Sequence, residues 1–402
     1  MAKEENRKIL IIGAGLGGLA AAYYFAHNSY NVTLFEKHPS FSPRGGTMSV
    51  RPNATRSLSN WGLHDAFADH VAAWRFRDLR SGEEVARHVN EEFSGYADWG
   101  VDRGTTQGVL FQAAEAAGAV LEFGREVVGV GDDGDRAWVD LGAGERVEGS
   151  LVVVADGIAS RLRRDVIGVE VRPVFANATN YPVELDGEAI TTSGLRQDLA
   201  NSTDGVVWVG QGKYAIGRYA PKLDKAWLVF DIRGEPAAEQ DRELWAESGN
   251  LNHIRTSFSG CCASLKSALS SANRCDRWNL AHLPELPHWR SPNGRLILLG
   301  DSAHAMLPNV AQGFSTIIED IDALGTFLAE HTIAASTEAW EKLRMPRVSK
   351  IQAYAAAAFQ GFSGGAEAGE NGLPDYESSE FLRWLLDYDV GEEARGQCFL
   401  EG

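Results

Sequence analysis

The chain is short of cysteine, of positive charge and of long apolar runs, and each shortage excludes something. Four cysteines in 402 residues, at 261, 262, 275 and 398, are too few and too irregular for a disulfide framework, and they lack zinc spacing. Reduced thiols and a cytoplasmic location are the expectation. Lys and Arg number 38 against 55 Asp and Glu, a net charge of −17. Neither nucleic acid nor an anionic membrane surface is therefore expected as a partner. No run approaches the ~18 apolar residues of a membrane span, and MAKEENRK passes into a strand-like run without the pattern of a signal or transit segment. Repeats and low-complexity tracts are absent. What remains is an ordinary globular composition, 44% hydrophobic and 23% charged, in a length that suits two domains.

The most informative stretch is 8–36, KILIIGAGLGGLAAAYYFAHNSYNVTLFE. Its first five residues form an apolar run suited to a buried parallel strand. Gly13, Gly15 and Gly18 follow as G-x-G-x-x-G, then an alanine-rich helical segment, then a second strand at 31–35 closed by Glu36. Gly13 permits the tight turn, Gly15 lets a pyrophosphate approach the backbone, and Gly18 allows close helix–strand packing. The helix N-terminus offers free N–H groups to phosphates, and Glu36 is placed to accept from ribose hydroxyls. The whole pattern points to dinucleotide binding.

Pro39, Pro43, Gly45 and Gly46 mark a loop. Arg44 within it is either an ordinary surface arginine or a bidentate phosphate ligand. Helix is expected from Asn53, strands over 71–95 with a turn at Ser81–Gly82, and a helix over 101–117 opened by Asp102. Arg103 in that first turn opposes the helix dipole, which an anionic partner would explain. Residues 119–149 read as a small antiparallel meander before a buried strand at 151–155. Three antiparallel strands are expected at 205–210, 213–219 and 226–232, and helices at 239–247 and 254–269. Another buried strand at 295–301 ends in Asp301. Helical periodicity resumes at Phe314, so Gln312–Gly313 opens that helix; further helices are expected at 336–358 and 376–395, with a glycine-rich stretch at 362–372. The expected fold is α/β: a discontinuous Rossmann-type FAD-binding domain (1–168 and 291–402, with C-terminal helices) and a mostly antiparallel substrate domain (169–290, joined by 71–100).

Three motifs stand in order: GAGLGG with Glu36, DGIASRLR at 156–163, and GDSAHAMLP at 300–308. Together they resemble the group A flavoprotein monooxygenases, the single-component FAD-dependent aromatic hydroxylases of the para-hydroxybenzoate and salicylate hydroxylase type. The resemblance covers about residues 8–358. It implies that Gly13, Gly15, Gly18 and Glu36 hold the ADP part of FAD, with Arg44 on the cofactor phosphates and Arg103 near the ribityl chain. Asp156, Gly157 and Arg163 match the family's D-G motif, implicated in shaping the FAD fold and in NAD(P)H use. Asp301, after Gly300, matches the aspartate on the ribityl hydroxyls, and Pro308 the proline beside the flavin ring. Arg344 and Arg347 match a late helix of the family. The backbone at Gln312–Gly313, rather than the Gln312 side chain, would donate to the charged edge of reduced flavin. Ser302, Ala311 and Ser315 replace the family's usual alanine, glycine and asparagine, and Gly45–Met48 reads G-G-T-M in place of G-A-G-I. His304 is either scaffold or a titrating group.

The activity implied is NAD(P)H-dependent insertion of one atom of O2 into an aromatic or phenolic substrate through a C4a-hydroperoxyflavin. NADPH or NADH would serve as co-substrate without a second glycine motif. On the 213–219 strand, period two puts Tyr214, Ile216 and Arg218 on one face. Tyr214 suits a phenol and Arg218 a carboxylate or enolate, or both are ordinary sheet residues. Trp208, Trp227 and Trp289 are core or pocket wall. Oxygenation of a larger secondary metabolite, a flavin dehydrogenase or oxidase, and a non-catalytic FAD-binding regulator are the competing readings. The W-x-W-x-I-P signature of flavin halogenases is absent, as is the F-x-G-x-x-x-H-x-x-x-W segment of the usual Baeyer–Villiger enzymes. A monomer or homodimer acting on a small aromatic or heteroaromatic substrate is expected.

Overall fold

The computed structural model describes residues 7–43, 46–67, 71–199, 204–210, 212–234, 244–246, 248–361 and 378–400. Arg44, the 362–372 stretch and most of the expected 239–247 helix lie outside them. The described end of that last segment, Trp245–Ala246, is a short strand rather than helix, paired with Arg277–His282.

Five short strands form a parallel sheet in the order Leu296–Leu298, Leu151–Val154, Lys8–Ile12, Asn31–Glu36, Val120–Phe123. Parallel strands are covered on both faces, which is why the inner ones read as unbroken apolar runs. Leu10, Ile11, Val152, Val153, Ile297 and Leu298 are fully buried. Val120–Phe123 was expected in the meander. It instead pairs in parallel with Thr33–Glu36 as the sheet edge, leaving three strands for the meander, Val127–Asp132, Ala137–Leu141 and Arg146–Gly149. The helices Leu16–His27, Arg103–Ala116 and Gly313–Glu330 share this sheet's core.

The second sheet has eight strands: Trp245–Ala246, Arg277–His282, Val174–Asp186, Lys225–Arg233, Lys213–Ala220, Gly205–Gly210, Ala73–Asp78 and Glu84–Val89, in that spatial order. All neighbours are antiparallel except Gly205–Gly210 with Ala73–Asp78. Its longest strand, Val174–Asp186, is absent from the sequence reading because Asn177, Asn180 and Pro182 break any β-former pattern.

The two faces of this sheet differ. Val206, Trp208, Ala215, Tyr219, Leu228, Phe230, Tyr181 and Val183 pack in a core with Ile190, Ile254, Phe258 and Leu265 from the helices over that face. The opposite face carries Tyr214, Ile216 and Arg218, as period two requires. It looks toward the parallel-sheet domain: Tyr214 meets Asn309, and Arg218 meets Thr47, Met48 and Ser49.

Several helices differ from expectation. Val101 belongs to a strand, Trp99–Asp102, paired with Thr47–Val50, and Asp102 then caps Arg103–Ala116 by accepting from the Thr105 N–H at 2.6 Å. The 254–269 helix is two, Leu251–Ser257 and Ala263–Ser271. Helix Ile333–Gly361 runs through Pro346. The expected 376–395 helix breaks into Ser379–Leu386 and Val390–Leu400, where Asp387 and Asp389 turn to pair with Arg56. Among the described residues no helix is long and apolar enough to cross a membrane.

Candidate active site

The three fingerprint glycines have distinct reasons to lack a side chain. A Cβ on Gly13, which sits at φ +100°, would lie 2.6 Å from the Ala155 carbonyl oxygen. One on Gly18 would lie 1.9 Å from the Gly13 oxygen. A Cβ on Gly15 would meet nothing within 4 Å. The protein's own packing therefore demands Gly13 and Gly18, whereas Gly15 leaves bare backbone beside the start of Leu16–His27, which has no side-chain cap. That is the space and donor set a pyrophosphate needs. Glu36 closes the adjacent strand and accepts from the Ala14 N–H at 2.7 Å and the His38 N–H at 2.9 Å. Each oxygen keeps a lone pair for a ribose hydroxyl.

At the other end of the groove, Gly300 takes φ +66° and turns the Leu296–Leu298 strand into the short helix Asp301–His304. Asp301 is exposed, yet enough protein surrounds it that desolvation raises its carboxyl above the ordinary range, with His304 and Arg103 opposing. Arg103 and Asp301, on different elements, thus lie within electrostatic reach of each other. Ser302 uses its hydroxyl internally, donating to the Val154 carbonyl at 2.6 Å and accepting from the Leu299 N–H at 3.0 Å. Arg163 of the D-G motif is 2% exposed and donates to the carbonyls of Ser302, Val171 and Ile158 at 2.8–2.9 Å. It welds the D-G loop to the G-D turn. Burial raises the Asp156 carboxyl, against Ser160 and Arg163.

Pro308–Val310 forms a 3-10 turn, Ala311 sits in the left-handed region at φ +52°, and Gly313–Glu330 begins after Gln312. A Cβ on Gly313 would meet nothing within 4 Å, so open space lies over this helix N-terminus too. The Gln312 side chain, which the sequence reading set aside, is 1% exposed and engaged. Its Oε1 accepts from Asn53 Nδ2 at 3.1 Å, and the same amide donates to Glu319 Oε1 at 2.5 Å. Glu319 lies between Arg344, at 2.5 Å, and Arg347, at 2.8 Å. Burial opposes its charge, but the two arginines outweigh that and hold its carboxyl at about 2. Asp320 accepts from Arg344 Nε at 2.8 Å and meets His304 Nε2 at 2.7 Å. His304 is 2% exposed, its ring 4.9 Å from that of Trp289, and it braces this cluster.

Sequence reasoning missed Asn53 and Glu319. The signal was present: adjacent acids inside the apolar run FSTIIEDIDAL, matched by two arginines in RMPR. An apolar helix tolerates buried carboxylates only if another element brings cations.

On the sheet face opposite these loops, antiparallel register sets Asn180, Asp231 and Tyr214 in one row across three strands. Asn309, next to Pro308, donates from Nδ2 to the Tyr214 oxygen at 3.5 Å. Arg233 Nε donates to Asp231 Oδ1 at 2.9 Å, and its guanidinium lies 5.2 Å from the Tyr214 ring centre and 4.1 Å from that of Phe359. Burial and the Asp231 charge push the Tyr214 phenol up, while burial raises Asp231 against Arg233. The adjoining row, Pro182, Val229 and Ile216, is apolar and half-buried.

Beyond it lies Arg218, 5% exposed. Its Nη1 donates to the Met48 carbonyl at 2.9 Å and to Thr47 Oγ1 at 3.2 Å, and its Nη2 to Ser49 Oγ at 3.1 Å. Burial lowers it to about 10, with Asp98 and Asp204 opposing. A Cβ on Gly100 would lie 2.7 Å from its Nη1, so the Trp99–Asp102 strand also presses on it. Trp208 and Trp289 belong to the two cores. Trp227 shares the cleft-facing row with Arg218 and donates to Glu184 at 3.3 Å.

The open backbone at Gly15 and Gly313 and the carboxylates of Glu36 and Asp301 suit the phosphates and hydroxyls of a dinucleotide such as FAD. The FAD binding domain family matches residues 6–350, and the chain belongs to that family. It is 30% identical to the 6-hydroxynicotinate 3-monooxygenase of Bordetella bronchiseptica over 86% of this chain and 89% of that one. It is 27% identical to the 3-hydroxybenzoate 6-hydroxylase 1 of Aquipseudomonas alcaligenes over 96% and 99%. Its fold matches that of CtdE, solved with FAD and a substrate, at TM-score 0.86 and 20% identity over 98% of both chains. The protein is an FAD-dependent monooxygenase, an oxidoreductase that takes NAD(P)H as co-substrate.

Proposed function

We propose that the enzyme hydroxylates an aromatic or heteroaromatic ring laid on the row Pro182–Val229–Ile216, between Tyr214 and the Pro308–Asn309 turn. What carries this reading is the juxtaposition of a half-buried apolar floor with one polar edge: the floor suits a flat ring, and Tyr214 with Asn309 suits one polar substituent. FAD, when bound, supplies hydride acceptance from NAD(P)H and the activation of O2. The chain's residues do the rest. Gly13–Gly18 and Glu36 hold the ADP part, and Asp301 with Arg103 the ribityl chain. The Gln312–Gly313 backbone donates to whatever negative charge develops at the ring edge beside it. Tyr214 orients a substrate hydroxyl or N–H, and the apolar floor excludes water from the reacting face. Arg218 acts by fixing the Thr47–Ser49 strand against the cleft.

The test is the visible spectrum of the purified protein, followed anaerobically after NADH or NADPH addition, with and without phenolic and heteroaromatic compounds. Bound flavin bleached at least tenfold faster with a compound present, followed by transfer of 18O from labelled O2 to the product, is the expected result. Flavin reduced but never yielding a labelled product would turn the reading toward a dehydrogenase.

A further inference from the structure

We propose that the substrate bears no carboxylate: it is a neutral ring carrying N–H or O–H donors, and Asp231 sets this selection by neutralising Arg233. The inference deepens the hydroxylase reading and rests on it.

Every cation that the second sheet's strands turn toward the cleft has a carboxylate close by, among the described residues and leaving histidines aside. Arg233 is 2.9 Å from Asp231, and Lys225 is 2.5 Å from Glu184. Arg218 gives three hydrogen bonds to Thr47, Met48 and Ser49 and faces Asp98 and Asp204. His282 on the same face is held toward its neutral form by burial. A substrate carboxylate entering here would lose its water and find no guanidinium in excess. Three buried acceptors here, Asn180 Oδ1, Asn309 Oδ1 and Asp231 Oδ2, make no hydrogen bond, against one such donor atom, Nη2 of an Arg233 guanidinium already engaged by Asp231 and the Phe359 carbonyl. The Asn309 amide presents Nδ2 to the Tyr214 oxygen at 3.5 Å and so leaves Oδ1 as its open atom. Buried acceptors left open favour a ligand that brings donors.

Asp231 is the residue on which the charge balance turns. It is 0% exposed and stands directly across from Tyr214 in the sheet. An Asp231→Asn change keeps its shape and leaves Arg233 with a full positive charge.

The experiment titrates the holoprotein with two matched pairs, 2-hydroxypyridine against 6-hydroxynicotinate and indole against indole-2-carboxylate, reading the dissociation constant from the flavin absorbance change. Wild type is expected to bind the neutral member of each pair at least tenfold more tightly. D231N is expected to move that ratio at least tenfold toward the carboxylate, and D231N combined with Arg233→Met to lose the gain. A wild type that binds the carboxylate members as tightly as the neutral ones, or more tightly, overturns the proposal, and that arm needs no variant to fold. If wild type binds neither member, carboxylate binding acquired by D231N supports the proposal and its absence overturns it. A protein without reducible flavin would instead sink the hydroxylase reading, and calorimetric titration of the same pairs would still measure the selectivity.

Discussion

Two buried polar clusters lie on opposite sides of the cleft, and they are built differently. Behind the flavin loops, Glu319 and Asp320 meet Arg344 and Arg347 at 2.5–2.9 Å, and His304 Nε2 lies 2.7 Å from Asp320. Asn53 and Gln312 carry that set up to the Gly313 backbone. On the sheet side, Asp231 and Arg233 pair, but Asn180 and Asn309 keep open acceptors. The first cluster balances its charges within the protein, although Arg344 Nη1 and Nη2 make no hydrogen bond, and it belongs to the scaffold. The second leaves its open acceptors beside the proposed ring site, where a ligand would complete it, and that separates a specificity surface from a brace.

The comparison can be broken most directly at Glu319. Its replacement by Ala would leave the buried Arg347 without its carboxylate and Arg344 with Asp320 alone, a loss of about 3–5 kcal/mol, read as a large fall in melting temperature. A shift of a degree or less would show that the cluster is not the brace described here. Next in size, Asp301→Ala should strip most of the flavin through gel filtration, read from the ratio of visible to ultraviolet absorbance; full occupancy would move the ribityl contact elsewhere.

A smaller effect is set by pH. Glu319 sits at about 2 against an ordinary 4.5, so its folded value is depressed. Its contribution to stability is whole above the ordinary value and drains away as pH falls from there toward 2. Urea unfolding at pH 5 and pH 3 should show a larger drop for wild type than for Glu319→Gln. Equal drops would mean the carboxylate is not held low. Smallest is Ala311→Gly. The left-handed backbone at φ +52° costs a residue with a Cβ on the order of 1 kcal/mol, which glycine relieves while loosening the unfolded chain. Net stability should change by less than about 1 kcal/mol, checked by chemical denaturation.

Much of this was legible because it depends on local chemistry. Gly13 and Gly18 had to be glycine for reasons of turn and packing, Asp102 had to cap the helix it precedes, and period two alone put Tyr214 and Arg218 on one face. What escaped depends on contacts between distant segments. Val120–Phe123 has the composition of a meander strand, and only its pairing with Thr33–Glu36 makes it the edge of the parallel sheet. Asn53 looks like any polar helix residue until Gln312 and Glu319 are brought to it. The Arg218 guanidinium suggests an anion site until the Thr47–Ser49 strand takes up its donors.

The order of strands in the parallel sheet also has a consequence for biosynthesis. Lys8–Ile12 pairs with Leu151–Val154, and that strand with Leu296–Leu298, each about 140 residues further along the chain. At translation speeds of roughly 5–20 residues per second, the glycine loop waits some 10–30 s for its first inner neighbour and as long again for the strand that ends at Asp301. Most of the eight-stranded sheet has by then left the ribosome. The substrate half can therefore collapse before the cofactor half closes, and the glycine loop and Asp301 come together only after about 300 residues have been made.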